Sequence, residues 1–378
     1  MNKLLVKNGL LISQADGYHG DKKDILIENG LITAIEDSIE HEDIESIDAQ
    51  GCIISPGLID IHTHCFTGTA VNGIDADIIG VSRGTTTILD AGSAGPENFE
   101  IFNEEIIKKH KTKVYSLLNI SKKGLVELRE LDDLEKIDED MVREMVRKYP
   151  TEIVGLKARA SSSVCGSLEI IPIKIATDLA HELDKPIMIH TGNFPPYLQD
   201  VLNLMKKKDV LTHAFHGKKG GILNESKEII EEAVKARQRG VLFDVGHGSA
   251  SFSFKTFKRA KSLGFYPDFV STDLHCENYE GPVYSQHAVI TKLINIGETL
   301  EDCLENATSK PADHFGLDRL GHLKVGYFGD LSISKLEEVD EAVVDSMGDT
   351  LDLTQNFVSV KTVISRVEGS EIIDNEKL

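Results

Sequence analysis

The sequence predicts an α/β protein: a (β/α)8 TIM barrel with a small β-sandwich domain formed from both chain termini. Three observations carry this expectation. Short apolar runs alternate with longer amphipathic stretches between about residues 55 and 320. Both chain ends read as strands and tight turns. The apolar run beginning at Leu58 closes on His62-Thr63-His64, and later runs also end in His, Lys or Asp.

Residues 1–54 read as hairpins. Leu4-Leu5-Val6 and Leu10-Leu11-Ile12 flank Asn8-Gly9, and Ile25-Leu26-Ile27 and Leu31-Ile32 flank Asn29-Gly30. Asn-Gly between apolar runs favours a type I′ turn, because both residues tolerate positive φ. At the other end, Gly329–Ile333, Val360–Ile364 and Ile372-Ile373 read as strands, the last following a turn at Gly369-Ser370. Residues 1–54 and 321–378 are therefore expected to form one β domain, and residues 55–320 the barrel.

Within the barrel the expected strands are 58–62, Thr86–Leu89, Val114–Leu118, Ile153–Leu156, Ile187–Ile189, Val210-Leu211, Val241–Val245 and Phe269–Ser271. Helical patterns lie between them at Asp140–Lys148, Pro172–Leu183, Lys227–Arg239 and Phe254–Leu263. Eight such repeats over ~260 residues match a (β/α)8 barrel, which typically takes ~250. A doubly wound open sheet is the structural alternative, weakened because no Gly-x-Gly-x-x-Gly follows any strand. The charged segment Lys122–Asp140 reads as a solvated loop or helix face.

Composition narrows the function. The chain has 378 residues, 40% hydrophobic and 27% charged, as in ordinary soluble proteins. A net charge of -21 argues against nucleic acid and anionic membrane surfaces as partners. Five cysteines without CxxC spacing fit reduced thiols in a cytoplasmic location and read as buried small apolar residues. The N-terminus lacks the apolar core of a signal peptide, and no run approaches the ~18 apolar residues that span a bilayer. The expected partner is a small molecule, with self-association left open.

In a barrel, catalytic groups sit at the C-terminal ends of strands. There the sequence places His62 and His64, Lys157, His190, His213 and Asp273. Strand alternation points His62 and His64 the same way, and neutral imidazoles bind zinc and similar ions. Lys157 as an ammonium repels a cation, but a neutral amine can add carbon dioxide and become a carboxylate-like carbamate. Six such groups exceed the needs of one tetrahedral zinc and suit two divalent ions sharing an oxygen ligand.

The motif Pro56-Gly57-Leu58-Ile59-Asp60-Ile61-His62-Thr63-His64, with Lys157, the His190 and His213 pair and Asp273, resembles the amidohydrolase superfamily in its binuclear, dihydroorotase-like subgroup. Asn306–Ala312 and Gly326–Leu331 are similar to that superfamily's return into its small β domain. The resemblance covers nearly the whole chain. It implies two Zn2+ ions, a carboxylated Lys157, Asp273 as the catalytic proton carrier, and hydrolysis of an amide or ester. Phe66 stands where dihydroorotases carry a carboxylate-binding arginine, which argues against that activity. Gly155–Ser161 and His213–Gly217 are similar to the amidohydrolase/deacetylase group, relatives of which are often labelled adenine deaminase or dihydroorotase. That similarity suggests deacylation, such as deacetylation, of a small N- or O-acylated carboxylic acid.

An anionic substrate needs a cation. Arg159, two residues after Lys157, is expected on the same strand face as the candidate carboxylate ligand; its alternative role is a pair with Asp244 or Glu277. His216, His247 and His275, just past strand ends, and Tyr284, on a lid expected after strand 8, are further candidates for contacting substrate or orienting a ligand. Cys65 is expected on the face opposite His64. Competing functions are a zinc deaminase of a nucleobase-like ring, a cyclic amidohydrolase of the hydantoinase type, and a metal-free scaffold. The intact set of six polar groups speaks against the scaffold.

Overall fold

A computed structural model describes residues 1–41 and 44–377. The chain opens with β1 (Lys3–Ser13), β2 (Tyr18–Glu28), β3 (Leu31–Glu36), β4 (Glu45–Asp48) and β5 (Ile53–Pro56). The Asn29-Gly30 turn between β2 and β3 takes the expected form, with φ of 50° and 76°. Gly30 has a further reason to be glycine: a Cβ there would fall 1.8 Å from the Arg366 carbonyl oxygen.

Asn8-Gly9 is not a turn. β1 runs straight through it, and its register against β2 shifts between Val6 and Gly9. Asn8 adopts the left-handed conformation, φ 63°, donates its backbone N–H to Asp24 and its side-chain amide to Asp48. A Cβ on Gly9 would lie 2.2 Å from Ile54 Cδ1. The pair forms a bulge that lets β5 close against β1.

The middle of the chain builds a curled parallel sheet: β6 (Leu58–Thr63), β7 (Thr85–Ala91), β8 (Lys113–Asn119), β9 (Ile153–Ala160), β10 (Ile187–Thr191), β11 (Val210–Thr212) and β12 (Leu242–Phe243), neighbours in chain order. These strands are almost wholly buried and rich in Ile, Leu and Val, as parallel strands covered on both faces must be. Helices Glu139–Lys148, Ile171–Glu182, Glu231–Gln238 and Phe254–Ser262 follow strands. The third is shorter than expected, because 227–230 enters a local bridge between Leu223 and Ile229. Segment 268–274 touches both edges of the sheet. Asp268 donates to Phe243, and His247 donates to Ser271; on the other side Asp273 donates to His62 at 2.7 Å and His64 donates to Leu274 at 2.9 Å.

One large apolar cluster fills the layer between strands and helices, including Leu58, Ile88, Leu156, Ile189 and Phe243. Another gathers Ile59, Leu89, Leu117, Met188 and Val210 from β6, β7, β8, β10 and β11. Lys122–Asp140 is not the solvated stretch expected: Leu125, Glu130 and Leu131 are buried within it. Cys52, Cys65, Cys165 and Cys303 are buried as expected, whereas Cys276 is exposed. Among the described residues no helix is long and apolar enough to cross a membrane.

β13 (Leu331–Val344), β14 (Thr350–Arg366) and β15 (Gly369–Asp374) join the N-terminal strands in one eight-stranded sheet, ordered β15-β14-β13-β5-β1-β2-β3 with β4 beside β1. The β13–β14 hairpin is far longer than its expected strands. Its extension carries exposed acids such as Glu337, Glu338 and Glu341, which hide the apolar alternation. Leu351, Leu353 and Phe357 nevertheless pack into the large cluster of the parallel unit. The turn into β15 is at Val367-Glu368, two residues before the one expected.

A buried ion pair ties the two units. Lys113 Nζ of β8 lies 2.5 Å from Asp330 Oδ2. Asp330 also accepts the Ser365 N–H through Oδ1 and the Gly57 N–H through its carbonyl. Asp330→Ala leaves a buried ammonium uncompensated, so denaturant unfolding should show a loss of about 3–5 kcal/mol. The Lys113→Met/Asp330→Leu double variant should lose much less; an equal loss would show that the two charges are not coupled.

Candidate metal centre

His62 lies near the end of β6, and its register against β7 shifts between Asp60 and Thr63. Asp60, wholly buried, sets this end in place: it accepts the N–H groups of His62 and Thr272, and the Thr272 hydroxyl at 2.5 Å. That fastens β6 to the segment carrying Asp273. His213 and Asp273 both have left-handed backbone, φ 62° and 56°, an uncommon conformation that surrounding structure must enforce and that clusters at functional sites.

The six polar groups come together, although Lys157 lies within β9, three residues before its end and not at its tip as expected, and Asp273 follows no described strand. His62 Nε2 and His64 Nε2 lie 3.4 and 3.1 Å from Asp273 Oδ1, and His213 Nε2 lies 3.6 Å from Oδ2. Lys157 Nζ is 3.0 Å from His62 Nε2, and the His190 ring stands edge-on to His213 with centroids 4.5 Å apart. Ligand atoms of His62, His213 and Asp273 lie within 4.8 Å of one another, close enough to share an ion.

The hydrogen bonds fix which nitrogens are free. Thr212 Oγ1 donates to Asp244 Oδ2 at 2.7 Å, so its lone pair receives the Nδ1–H of His62 at 2.8 Å. His213 Nδ1 faces the Gly246 carbonyl at 2.5 Å, which only a donor can satisfy. Both imidazoles therefore turn an Nε2 lone pair toward Asp273, the tautomer a metal requires. His213 Nε2 is buried without a hydrogen-bond partner in the protein. A cluster of inward lone pairs beside a carboxylate, with one nitrogen orphaned, fits a divalent cation.

Electrostatics agree. Burial pushes His213 down to about 4 and holds His62 and His190 well below the ordinary imidazole range, leaving these rings neutral. Burial pushes Lys157 down to about 7, so a neutral amine is accessible. Burial alone would raise Asp273, but His62, His64 and His213 hold it well below the usual carboxylate range. Burial raises Asp244 to about 6 and Asp60 to about 7.

Around this cluster the other candidates separate. The Arg159 fork is engaged by neither Asp244 nor Glu277: Nε and Nη2 hold Glu130 at 2.6 and 2.5 Å, and Nη2 also donates to Leu128. His216 is buried and accepts the Lys218 N–H through Nδ1. His275 accepts the Glu277 N–H through Nδ1, and its ring centroid is 6.4 Å from that of His64. His247 is drawn instead to Lys292, whose Nζ is 2.9 Å from Nε2 and also donates to Pro282. Tyr284 is half exposed, and its carbonyl accepts from Arg83. Phe66 packs edge-on against Phe102 in the apolar core. Cys65 is buried, its N–H held by Asp90.

Sequence reasoning missed the supporting roles of Thr212, Asp244, Asp60 and Glu130, and of Ser93, whose Oγ lies 3.2 Å from His64 Nδ1. The signal was faint: hydroxyls and acids without regular spacing, and Glu130 far from any strand end in the connection between β8 and β9.

Comparison with known proteins places this arrangement in context. Residues 53–367 match the family model described as "Amidohydrolase family". A protein named deacetylase from Enterococcus faecalis is 37% identical over 376 residues, covering 98% of this chain and 99% of its own. Deacetylase Atu3266 of Agrobacterium fabrum is 35% identical, with 98% and 91% covered. A crystal structure described as an adenine deaminase superposes with a TM-score of 0.92 at 36% identity, covering 98% of this chain and 99% of its own. One described as a dihydroorotase gives 0.91 at 34%, covering 99% and 98%.

Thr212 orients His62 without being a candidate ligand. Thr212→Val should weaken metal binding by roughly 10–100-fold, as loss of a ligand's outer hydrogen bond does. Competition with a chromogenic chelator measures this, with circular dichroism to confirm an intact fold. Unchanged affinity would show that His62 needs no such support.

Proposed function

Because the chain belongs to the amidohydrolase family, whose members hydrolyse C–N bonds, we propose that it is a binuclear zinc hydrolase removing an acyl group from a small N- or O-acylated carboxylic acid, such as an acetylated α-hydroxy acid. The observation that carries this reading is the convergence of His62, His64, Lys157, His190, His213 and Asp273 at one set of strand ends. In the same reading, segment 268–274, bonded to both sheet edges, is the eighth strand of a closed (β/α)8 barrel, and the terminal sheet folds as a sandwich. The names of the relatives at 35–37% identity favour deacylation.

His62, His64, His190, His213, Asp273 and a carboxylated Lys157 would hold two ions. Ions there supply Lewis acidity and bring the pKa of the attacking water toward ~7. The Lys157 amine, neutral when deprotonated, adds carbon dioxide and releases one proton, giving the anionic carbamate. Asp273 accepts the proton of the attacking water and carries it to the leaving nitrogen or oxygen as the acyl bond breaks. Arg159, with Nη1 outside its pair with Glu130, and His216, His275 and Tyr284 are the proposed substrate contacts. The substrate is a small anion; nucleic acid and membrane have no role in this reading, and the setting is cytoplasmic.

The alternative is deamination of a nucleobase-like ring, favoured by the description of the structure superposing at 0.92. Incubating the zinc-reconstituted enzyme with acetylated hydroxy and amino acids and with adenine separates them: acetate release supports deacylation, and ammonia release from adenine alone overturns it.

Two variants test the roles. Asp273→Asn should retain much of its zinc yet lose roughly 10²–10⁴-fold in turnover; activity within a few-fold of wild type would remove the proton-carrier assignment. Lys157→Ala should lose most activity and bound metal, and short carboxylic acids should restore part of both. Full metal content without any added acid would refute the carbamate bridge.

A further inference from the structure

The cations near the candidate centre are mostly spoken for. Arg159 is matched by the buried Glu130 carboxylate through two hydrogen bonds. Lys292 is held by His247 and the Pro282 carbonyl. Lys157 belongs to the cluster itself. Lys218 differs: among the described residues no ion pair or side-chain hydrogen bond engages its ammonium.

Its place is fixed by the chain around it. His216 donates its N–H to the His213 carbonyl, and Lys218 donates its own N–H to His216 Nδ1 at 3.1 Å. Gly221 lies so close to the His216 ring that a Cβ would fall 2.9 Å from Cε1, and Gly220 is equally close to Phe194 of the loop following His190. The backbone of Lys218 is therefore pinned beside His216, five residues past His213. The lysine is half-buried, and its charge acts on His213 and His216, while Asp273 is the acid that acts on it.

We propose that Lys218 is the specificity residue that recognises the carboxylate of the substrate, an inference that rests on the acyl-hydrolase reading above. A partly desolvated ammonium without a protein counter-ion carries a cost that an incoming anion offsets. Arg159 adds little net attraction, because Glu130 already neutralises it. In a chain of net charge -21, an unmatched cation beside the reacting centre is what draws and orients a small anion. With the carboxylate held by the loop after β11, the acyl group is left to face Asp273 and the histidines.

The test uses the zinc-reconstituted enzyme, Lys218→Met and Lys218→Arg, with O-acetyl-lactate and its neutral amide as paired substrates. Lys218→Met should raise KM for the acid by roughly 10- to 100-fold, the range for a lost charged hydrogen bond. Its kcat should stay within a few-fold, the amide should be nearly unaffected, and Lys218→Arg should recover most of the loss. Equal effects on acid and amide, or an unchanged KM for the acid, overturn the assignment while leaving deacylation intact. If wild type hydrolyses neither compound, the acyl-hydrolase reading fails, and lactate binding by calorimetry decides Lys218. Binding by wild type that Lys218→Met loses supports the anion site; equal binding, or none, ends it.

Discussion

Asp273 sits where burial alone would neutralise it, yet it lies well below the usual carboxylate range, with His64, His62 and His213 at 3.1, 3.4 and 3.6 Å. Much of the central unit serves that arrangement. Three imidazoles cannot all donate to one carboxylate when two have Nδ1 committed elsewhere, so the pocket is left rich in lone pairs. Apart from the Lys157 amine, this buried cluster presents acceptors, an arrangement that a cation would complete. The fit of this cluster to a divalent cation and its unusual electrostatics are in this sense one property of the chain.

The scaffold holds this unfavourable set by spending good hydrogen bonds around it. Asp60 joins the first strand of the parallel sheet to the segment bearing Asp273, and Asp244 joins Thr212 to Ser271. Gly248 is packed so tightly that a Cβ would fall 2.7 Å from Asp273 Oδ2. The loop carrying it is braced from outside by the tip of the β13–β14 hairpin. Ser346 donates to the Gly248 carbonyl, and Asp345 accepts the Phe254 N–H. The terminal sheet thus reaches the rim of the candidate centre as well as covering the far side through Lys113 and Asp330.

Seven of the eight expected parallel strands were readable because each is a short apolar run, and the polar residues near their ends marked the candidate centre; the eighth, Phe269–Ser271, forms only isolated bridges among the described residues. The Asn29-Gly30 hairpin was readable for the same local reason. Asn8-Gly9 carries an identical dipeptide and became a bulge, since pairing with β2 and closeness to Ile54 outweighed the turn preference. The β13–β14 hairpin and the buried Glu130 stayed hidden behind charged neighbours, whose burial depends on contacts distant in sequence. Lys218 gave no signal at all: that no described residue pairs with it is seen only once its neighbours in space have been placed.

By itself the sequence determined the alternation of strand and helix, the six polar residues at strand ends, and their chemical kind, because these follow from local periodicity and side-chain type. Tertiary structure decided which nitrogens of His62 and His213 are free, that Arg159 is matched by Glu130, and that no described residue matches Lys218. Those facts depend on distance and desolvation, and both are set by residues tens to hundreds of positions apart along the chain. A strand end can announce that a histidine is present. The threonine arriving from 150 residues away determines what that histidine is able to bind.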